Sequence, residues 1–387
     1  LFFVIEASNI AKLMAVFALA LVVQCGLSPH AQAQDGAGEP EVSARAWVLT
    51  DVRSGEYLAG EDASERLPMA STTKIMVALV ALEEADLERE ITVSREAAAF
   101  ATPLYSNVGL LPGDVLSVRE LLMATMISSG DDAAYALAES LGGGSVEDLI
   151  ARMNGEVAAL GLEDTHFENP VGLDARGQYS SARDLAEMTR LAMRYPIFRE
   201  IVATNYATIT TQDREIPLTT TNNLLFIYPP ATGVKTGTTP AAGPSLVASA
   251  AAEDESYLAV VLDAREDRFA ASIRALEHGF ARYDRVDPVL EGERYARTEV
   301  PYRRGETIEL VAKESVDALV DGNSDVERES RVMEELPGSA RPGTKLGEVV
   351  VRVDGERVGE SPLVASRGYD DASLWERVWY TVGGIFA

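Results

Sequence analysis

A serine lies three residues before a lysine at Ser71-Thr72-Thr73-Lys74, where an apolar run begins: Ile75, Met76, Val77, Leu79, Val80 and Leu82. The run predicts a buried helix starting near Ser71. Residues i and i+3 share one helix face, so the hydroxyl and the amine can meet. The helix N-terminus adds free backbone N–H groups and a positive dipole end beside the serine. An amine held there loses solvation, which lowers its pKa and lets it accept a proton. These are the parts of a serine nucleophile whose base is a lysine rather than a histidine. The spacing alone also fits a simpler picture, since it arises by chance roughly once in a chain of this length. In that picture Ser71 caps a core helix and Lys74 is a solvated first-turn lysine.

Two further triplets bear on the choice. Lys235-Thr236-Gly237 lies on a predicted strand, preceded by Gly233-Val234. The glycine lets a substrate backbone lie close against the strand, and the lysine offers a charge to a carboxylate. Ser129-Gly130-Asp131 falls at a break between two helical stretches and can present a second hydroxyl into a cleft. Alone it reads as a helix-breaking turn.

Together the three resemble the S-x-x-K, S-x-N and K-T-G set of penicillin-binding proteins and class A β-lactamases. Residues 68–76, 167–173, 180–185, 233–243 and 268–280 look like the low-molecular-mass D-alanyl-D-alanine carboxypeptidases. Residues 347–365 are similar to that family's C-terminal β-sandwich. The resemblance implies that Ser71 is acylated, that Lys74 takes its proton, and that Ser129 relays a proton to the departing D-alanine. It implies that Lys235 and Thr236 hold the substrate's terminal carboxylate, helped by Arg268. The backbone N–H groups of Ser71 and of Thr238, the residue after Gly237, would form the oxyanion hole. The implied partners are peptidoglycan stem peptides and β-lactam antibiotics, and no metal or organic cofactor is needed. One position departs from the pattern. Asp131 stands where the family usually has asparagine, and an ionised aspartate accepts hydrogen bonds but cannot donate them. It can bond Lys74, and its charge would raise the pKa of that amine.

The composition sets outer bounds. The chain has 387 residues, 47% hydrophobic and 25% charged, with a net charge of −27. Such a surface repels nucleic acid, so no phosphate-backbone role is expected. Three histidines and the single Cys25 cannot assemble a usual Cys/His zinc site, nor a disulfide within one chain. Lys12, the apolar run 13–23 and Ala31-Gln32-Ala33 read as a signal peptide over residues 1–33. Gln24 fits poorly before a lipoprotein cysteine at Cys25. The expected location is the outer face of the cytoplasmic membrane and the cell wall.

Several elements must position these residues. Residues 34–44 form a flexible leader. A strand over 46–52 and a return strand from 57 precede the Ser71 helix. Helical text over 119–141 breaks at 128–132. Ser145 with Asp148 and Ser181 with Asp184 open further helices, the latter stopped at Pro196. A hairpin over 205–221, strands over 233–238, 245–251 and 257–264, and a helix over 267–282 come next. Sheet strands flanking an inserted helical block predict an α+β, or mixed α/β, catalytic domain over 45–285. The resemblance specifies it as β-lactamase/transpeptidase-like: an antiparallel sheet with flanking helices and a helical subdomain. Short β runs over 289–366, with a hairpin turn at Asp354-Gly355, predict a small all-β domain.

Residues 370–387 end the chain. At 100° per residue Leu374, Trp375, Val378, Trp379, Val382, Ile385 and Phe386 share an arc of roughly 140°. The segment is too short to span a bilayer, and two tryptophans suit the headgroup boundary. A membrane surface is the expected partner, in keeping with the resemblance; a helix packed on the β domain is the alternative. For the activity, the alternatives are a β-lactamase using Glu168 to activate water, a D,D-endopeptidase or transpeptidase on the same site, and a non-catalytic peptidoglycan-binding protein.

Overall fold

The computed structural model of the protein describes residues 40–383. The signal segment expected over 1–33, residues 34–39 of the leader, and Ile385 and Phe386 lie outside the described residues. A five-stranded antiparallel sheet organises the first part of the chain. Its strands lie in the order Tyr57–Glu61, Ala46–Asp51, Glu255–Leu262, Gly243–Ala252 and Ala231–Thr239. Successive side chains of a strand point to opposite faces, and here both faces are covered. Ala46, Val48, Val247, Leu258 and Val260 join one core with the helical block. Trp47, Leu49, Leu246, Tyr257 and Val261 join a second core with the helix Arg268–Arg282. Two covered faces explain why these strands read as apolar runs rather than as clean alternation. The strand carrying Lys235-Thr236-Gly237 is an edge strand, so one side of its backbone is open to a ligand.

The helical block comes after the second strand. A 3₁₀ turn, Ala70–Thr73, leads into the helix Lys74–Glu84. Every residue of that helix from Lys74 to Ala81 is buried, as a helix apolar all round requires. The helix Val118–Ile127 starts at a reciprocal capping box of Ser117 and Glu120. It hands over to Asp131–Leu141 through the turn that carries Ser129. Val146–Ala159 and Ala182–Ala192 are capped by Ser145 and Ser181, each accepting from the N–H three residues on. Both serine–aspartate pairs open their helices as expected, through the serine hydroxyl alone. The Asp184 carboxylate turns instead to Asp164 N and Thr165 Oγ1. The second of these helices ends before Pro196, as expected, and the proline then occupies the first turn of a further helix, Pro196–Val202, where its missing N–H costs nothing.

The strand Tyr283–Val289 leaves the Arg268–Arg282 helix and pairs with Val316–Asp321, so β pairing resumes at 283, ahead of the boundary expected near 285. A second antiparallel sheet orders Arg294–Glu299, Thr307–Ala312, Glu356–Ala365, Lys345–Val353 and Val326–Val332 around Ile308, Leu310, Leu346, Val349, Val351 and Leu363. The turn expected at Asp354-Gly355 is present, with positive φ at both residues (52° and 83°), as a tight hairpin demands. Arg285 ties the Tyr283–Val289 and Val316–Asp321 pair to the first sheet. Its guanidinium, almost fully buried, donates to Asp51 Oδ2 at 2.6 Å and also pairs with Asp317.

The last helix, Leu374–Gly383, begins just after Ser373, which exchanges hydrogen bonds of 2.7 and 3.4 Å with Glu376. Its polar side faces the β region: Glu376 pairs with Arg303, and Tyr380 stacks on Arg304 and Tyr302. Leu374, Trp375, Val378 and Trp379 point outward, 82%, 75%, 51% and 72% exposed. The helix thus packs on the β region, as in the alternative reading, but through its polar side. Among the described residues no helix is long and apolar enough to cross a membrane.

Candidate active site

The nucleophile turn is built by its own threonines. Thr72 Oγ1 donates to Met69 O at 2.6 Å, and Thr73 Oγ1 to Ala70 O at 2.8 Å. Ala70 takes a left-handed φ of 49° just before Ser71. Two glycines let other backbones close on this turn. A Cβ on Gly172 would lie 2.0 Å from Ala70 O and 2.8 Å from Ser71 N, and one on Gly237 would lie 3.3 Å from Ser71 N. The loop after Phe167 and the K-T-G strand thus press on Ser71 from two directions.

Lys74 is 0% exposed, and its Nζ has three partners: Ser71 Oγ at 2.9 Å, Asp131 Oδ1 at 2.6 Å and Val171 O at 2.8 Å. Burial pushes the amine below its usual range, and Asp131 pulls it back upward by charge and hydrogen bonding. The downward push is the larger of the two, so Asp131 moderates the depression of Lys74 and does not reverse it. A carboxylate and a carbonyl only accept. A neutral Lys74 that donates to both has one lone pair left, and the remaining neighbour is Ser71 Oγ.

The supports of this cluster come from far along the chain. Asn169 Oδ1 accepts from Gly172 N and Leu173 N, and Gln178 Oε1 accepts from Glu168 N and Asn169 N, which fixes the loop that carries Val171 O. Asp132, fully buried, accepts from Val108 N and Leu110 N and anchors the segment whose Ser106 O receives Asp131 N at 2.7 Å. Ser129 has a left-handed φ of 59° and is buried. Among the described residues its hydroxyl makes no hydrogen bond to Ser71 or Lys74.

Lys235 is 1% exposed and donates to Thr236 O at 3.1 Å. Burial, then the neighbouring Lys74, push its ammonium well below the usual range. A bound carboxylate would supply the missing counter-charge. Thr236 Oγ1 shares a 2.8 Å hydrogen bond with Thr221 Oγ1. Thr238 is exposed and donates its hydroxyl to Gly237 O. Arg268 donates through Nη1 to Gly237 O at 2.8 Å and Ser245 O at 3.0 Å, so its visible bonds brace the strand. Glu168 stands elsewhere: its carboxylate is exposed and lies 3.6 Å from His166 Nδ1. The cluster therefore joins Ser71, Lys74 and Asp131 directly, and sets Lys235 and Arg268 within electrostatic range. Val171 O, Asn169, Gln178, Asp132 and Thr221 were not foreseen as parts of it. The text of 167–173 marked the loop, but no local signal says that a backbone carbonyl in it reaches Lys74.

Known proteins share this arrangement of chain. A family profile described as D-alanyl-D-alanine carboxypeptidase (peptidase S11) matches residues 33–266. The D-alanyl-D-alanine carboxypeptidase DacF of Bacillus subtilis is 32% identical over 364 residues, covering 90% of this chain and 92% of its own. The structure of penicillin binding protein 5 from Haemophilus influenzae is 28% identical with a TM-score of 0.69, covering 87% of this chain and 100% of that one. The Streptomyces K15 DD-transpeptidase is 33% identical with a TM-score of 0.59, over 63% of this chain and 99% of its own. With the profile spanning more than half its length and a relative matched almost end to end, this chain belongs to the peptidase S11 family of D-alanyl-D-alanine carboxypeptidases.

Proposed function

We propose that the protein is exported and removes the terminal D-alanine from peptidoglycan stem peptides through an acyl-enzyme on Ser71, and that β-lactams acylate the same hydroxyl. The observation that carries this reading is the set of three partners on Lys74 Nζ. With Asp131 and Val171 O taking its two N–H bonds, neutral Lys74 accepts the Ser71 proton as Oγ bonds to the scissile carbonyl carbon. The N–H groups of Ser71 and Thr238 receive the oxyanion. The C–N bond then breaks, and the proton passes from Lys74 through Ser129 to the leaving amine. Water repeats the sequence on the ester and frees Ser71. Lys235, Thr236 and Arg268 hold the terminal carboxylate, and the bound peptide extends the open edge of the strand. The exposed place of Glu168 speaks against a β-lactamase that deacylates through that residue. Incubation with a pentapeptide ending in D-Ala-D-Ala tests the reading. Release of D-alanine is expected; rapid β-lactam turnover without release of D-alanine would overturn it.

Asp131 sets a pH signature. Catalysis needs Lys74 neutral, and Asp131 raises the pH at which it loses its proton. Asp131→Asn removes that upward pull. The acid limb of the penicillin acylation rate is expected to move to lower pH in the variant. An unmoved limb would show that Asp131 does not couple to Lys74.

The outward face of the last helix carries the membrane proposal. Its polar side is engaged with the β region, so Leu374, Trp375, Val378 and Trp379 are left to meet a headgroup boundary. The protein is expected to sediment with lipid vesicles, and a version ending at Asp371 to remain in solution. Equal behaviour of the two would remove the anchor.

A further inference from the structure

Past the end of the K-T-G strand lies a cavity of about 230 Å³ that the roles above leave unused. Met69 and Ala70 line it beside the nucleophile, Asp174 and Arg176 from the loop, and Ala241 just beyond the strand. The direction of a bound peptide is set by the strand. If Lys235 and Thr236 hold the terminal carboxylate and Thr238 N–H receives the scissile carbonyl, the upstream peptide runs on past Thr239 toward Ala241. Each extended residue advances about 3.3–3.6 Å, so one or two residues reach the cavity.

The charges there are distributed unevenly. Asp174 is already engaged: it accepts from Thr239 Oγ1 at 2.5 Å and from Ala241 N at 3.1 Å, clamping loop to strand. Arg176 is exposed, and among the described residues it makes no hydrogen bond and no ion pair. It stands between two fixed points, Asp174 and the buried Gln178 that anchors the loop. A free guanidinium on a pinned loop suits a planar anion, which it binds through two parallel N–H bonds.

We infer that this cavity receives the side chain of the stem-peptide residue that precedes the D-Ala-D-Ala end, and that Arg176 pairs with a carboxylate on that side chain. The inference rests on the carboxypeptidase reading and adds a preference to it: an upstream side chain ending in a carboxylate over one ending in an amide or an amine. Two peptides ending in D-Ala-D-Ala test it, identical except that the upstream side chain carries a carboxylate in one and the primary amide in the other. With the full chain, kcat/KM is expected to favour the carboxylate peptide by about five-fold, the scale of an exposed ion pair, mainly through KM. The advantage should shrink with added salt. In Arg176→Gln it should vanish, with a loss on the carboxylate peptide about five-fold larger than on the amide peptide. Arg176→Glu should turn the preference toward an amine-ended peptide. Equal rates on both peptides in the unchanged protein, or equal losses in Arg176→Gln, would overturn the subsite while leaving the carboxypeptidase reading intact. Cleavage of neither peptide would overturn that reading and the subsite with it.

Discussion

Lys74→Met is expected to slow acylation of Ser71 by about three orders of magnitude, within the range for loss of a positioned base. The same change should destabilise the fold by about 3 kcal/mol, because it leaves the Asp131 carboxylate buried without its partner. The two effects have different cures. Lys74→Met with Asp131→Asn removes the stranded charge, so stability should largely return while the rate stays low. Thermal unfolding and penicillin acylation, measured on the single and double variants, separate them. A double variant that regains the rate would show that Lys74 serves only as a counter-charge.

Lys235→Ala is the second large effect. Lys235 is buried beside Lys74, and its ammonium donates to Thr236 O and to no carboxylate among the described residues. A substrate carboxylate placed there would meet a desolvated cation, where removing one partner costs about 2–3 kcal/mol, on the order of 100-fold in kcat/KM. A peptide whose terminal carboxylate is capped as an amide never forms that pair and should lose far less in the variant. Comparison of the two peptides on both proteins checks this, and equal losses would remove the carboxylate role.

How far these parts could be read ahead of the structure depended on how local they are. Ser71 and Lys74 meet because i and i+3 share a face, so their contact was legible from spacing. Asp131 was legible as a departure from a pattern, and its bond to Lys74 as one of its options. Val171 O was not, since its contact spans 97 positions and is made by backbone, which has no residue signature. The K-T-G strand was recognised, but its place at the sheet edge depends on strand order, which pairs it only with Gly243–Ala252. The strand Val326–Val332 went unread because it is a charged, mostly exposed edge, Val-Glu-Arg-Glu-Ser-Arg-Val, without an apolar period. Pro196 was read as a breaker because proline ends helices from inside, whereas its first-turn use depends on the helix-forming residues 197–202 after it. Asp354-Gly355 was legible because few dipeptides accept two positive φ angles.

The most direct test of the Ser71 acyl-enzyme is the site of its covalent adduct. The protein should be incubated with benzylpenicillin, quenched, digested and mapped by mass spectrometry. One penicilloyl group is expected per chain, on the peptide that contains Ser71, and Ser71→Ala should carry none while unfolding at the same temperature as the unchanged protein. An adduct on any other residue, or undiminished labelling of Ser71→Ala, would contradict the assignment of Ser71 as the nucleophile.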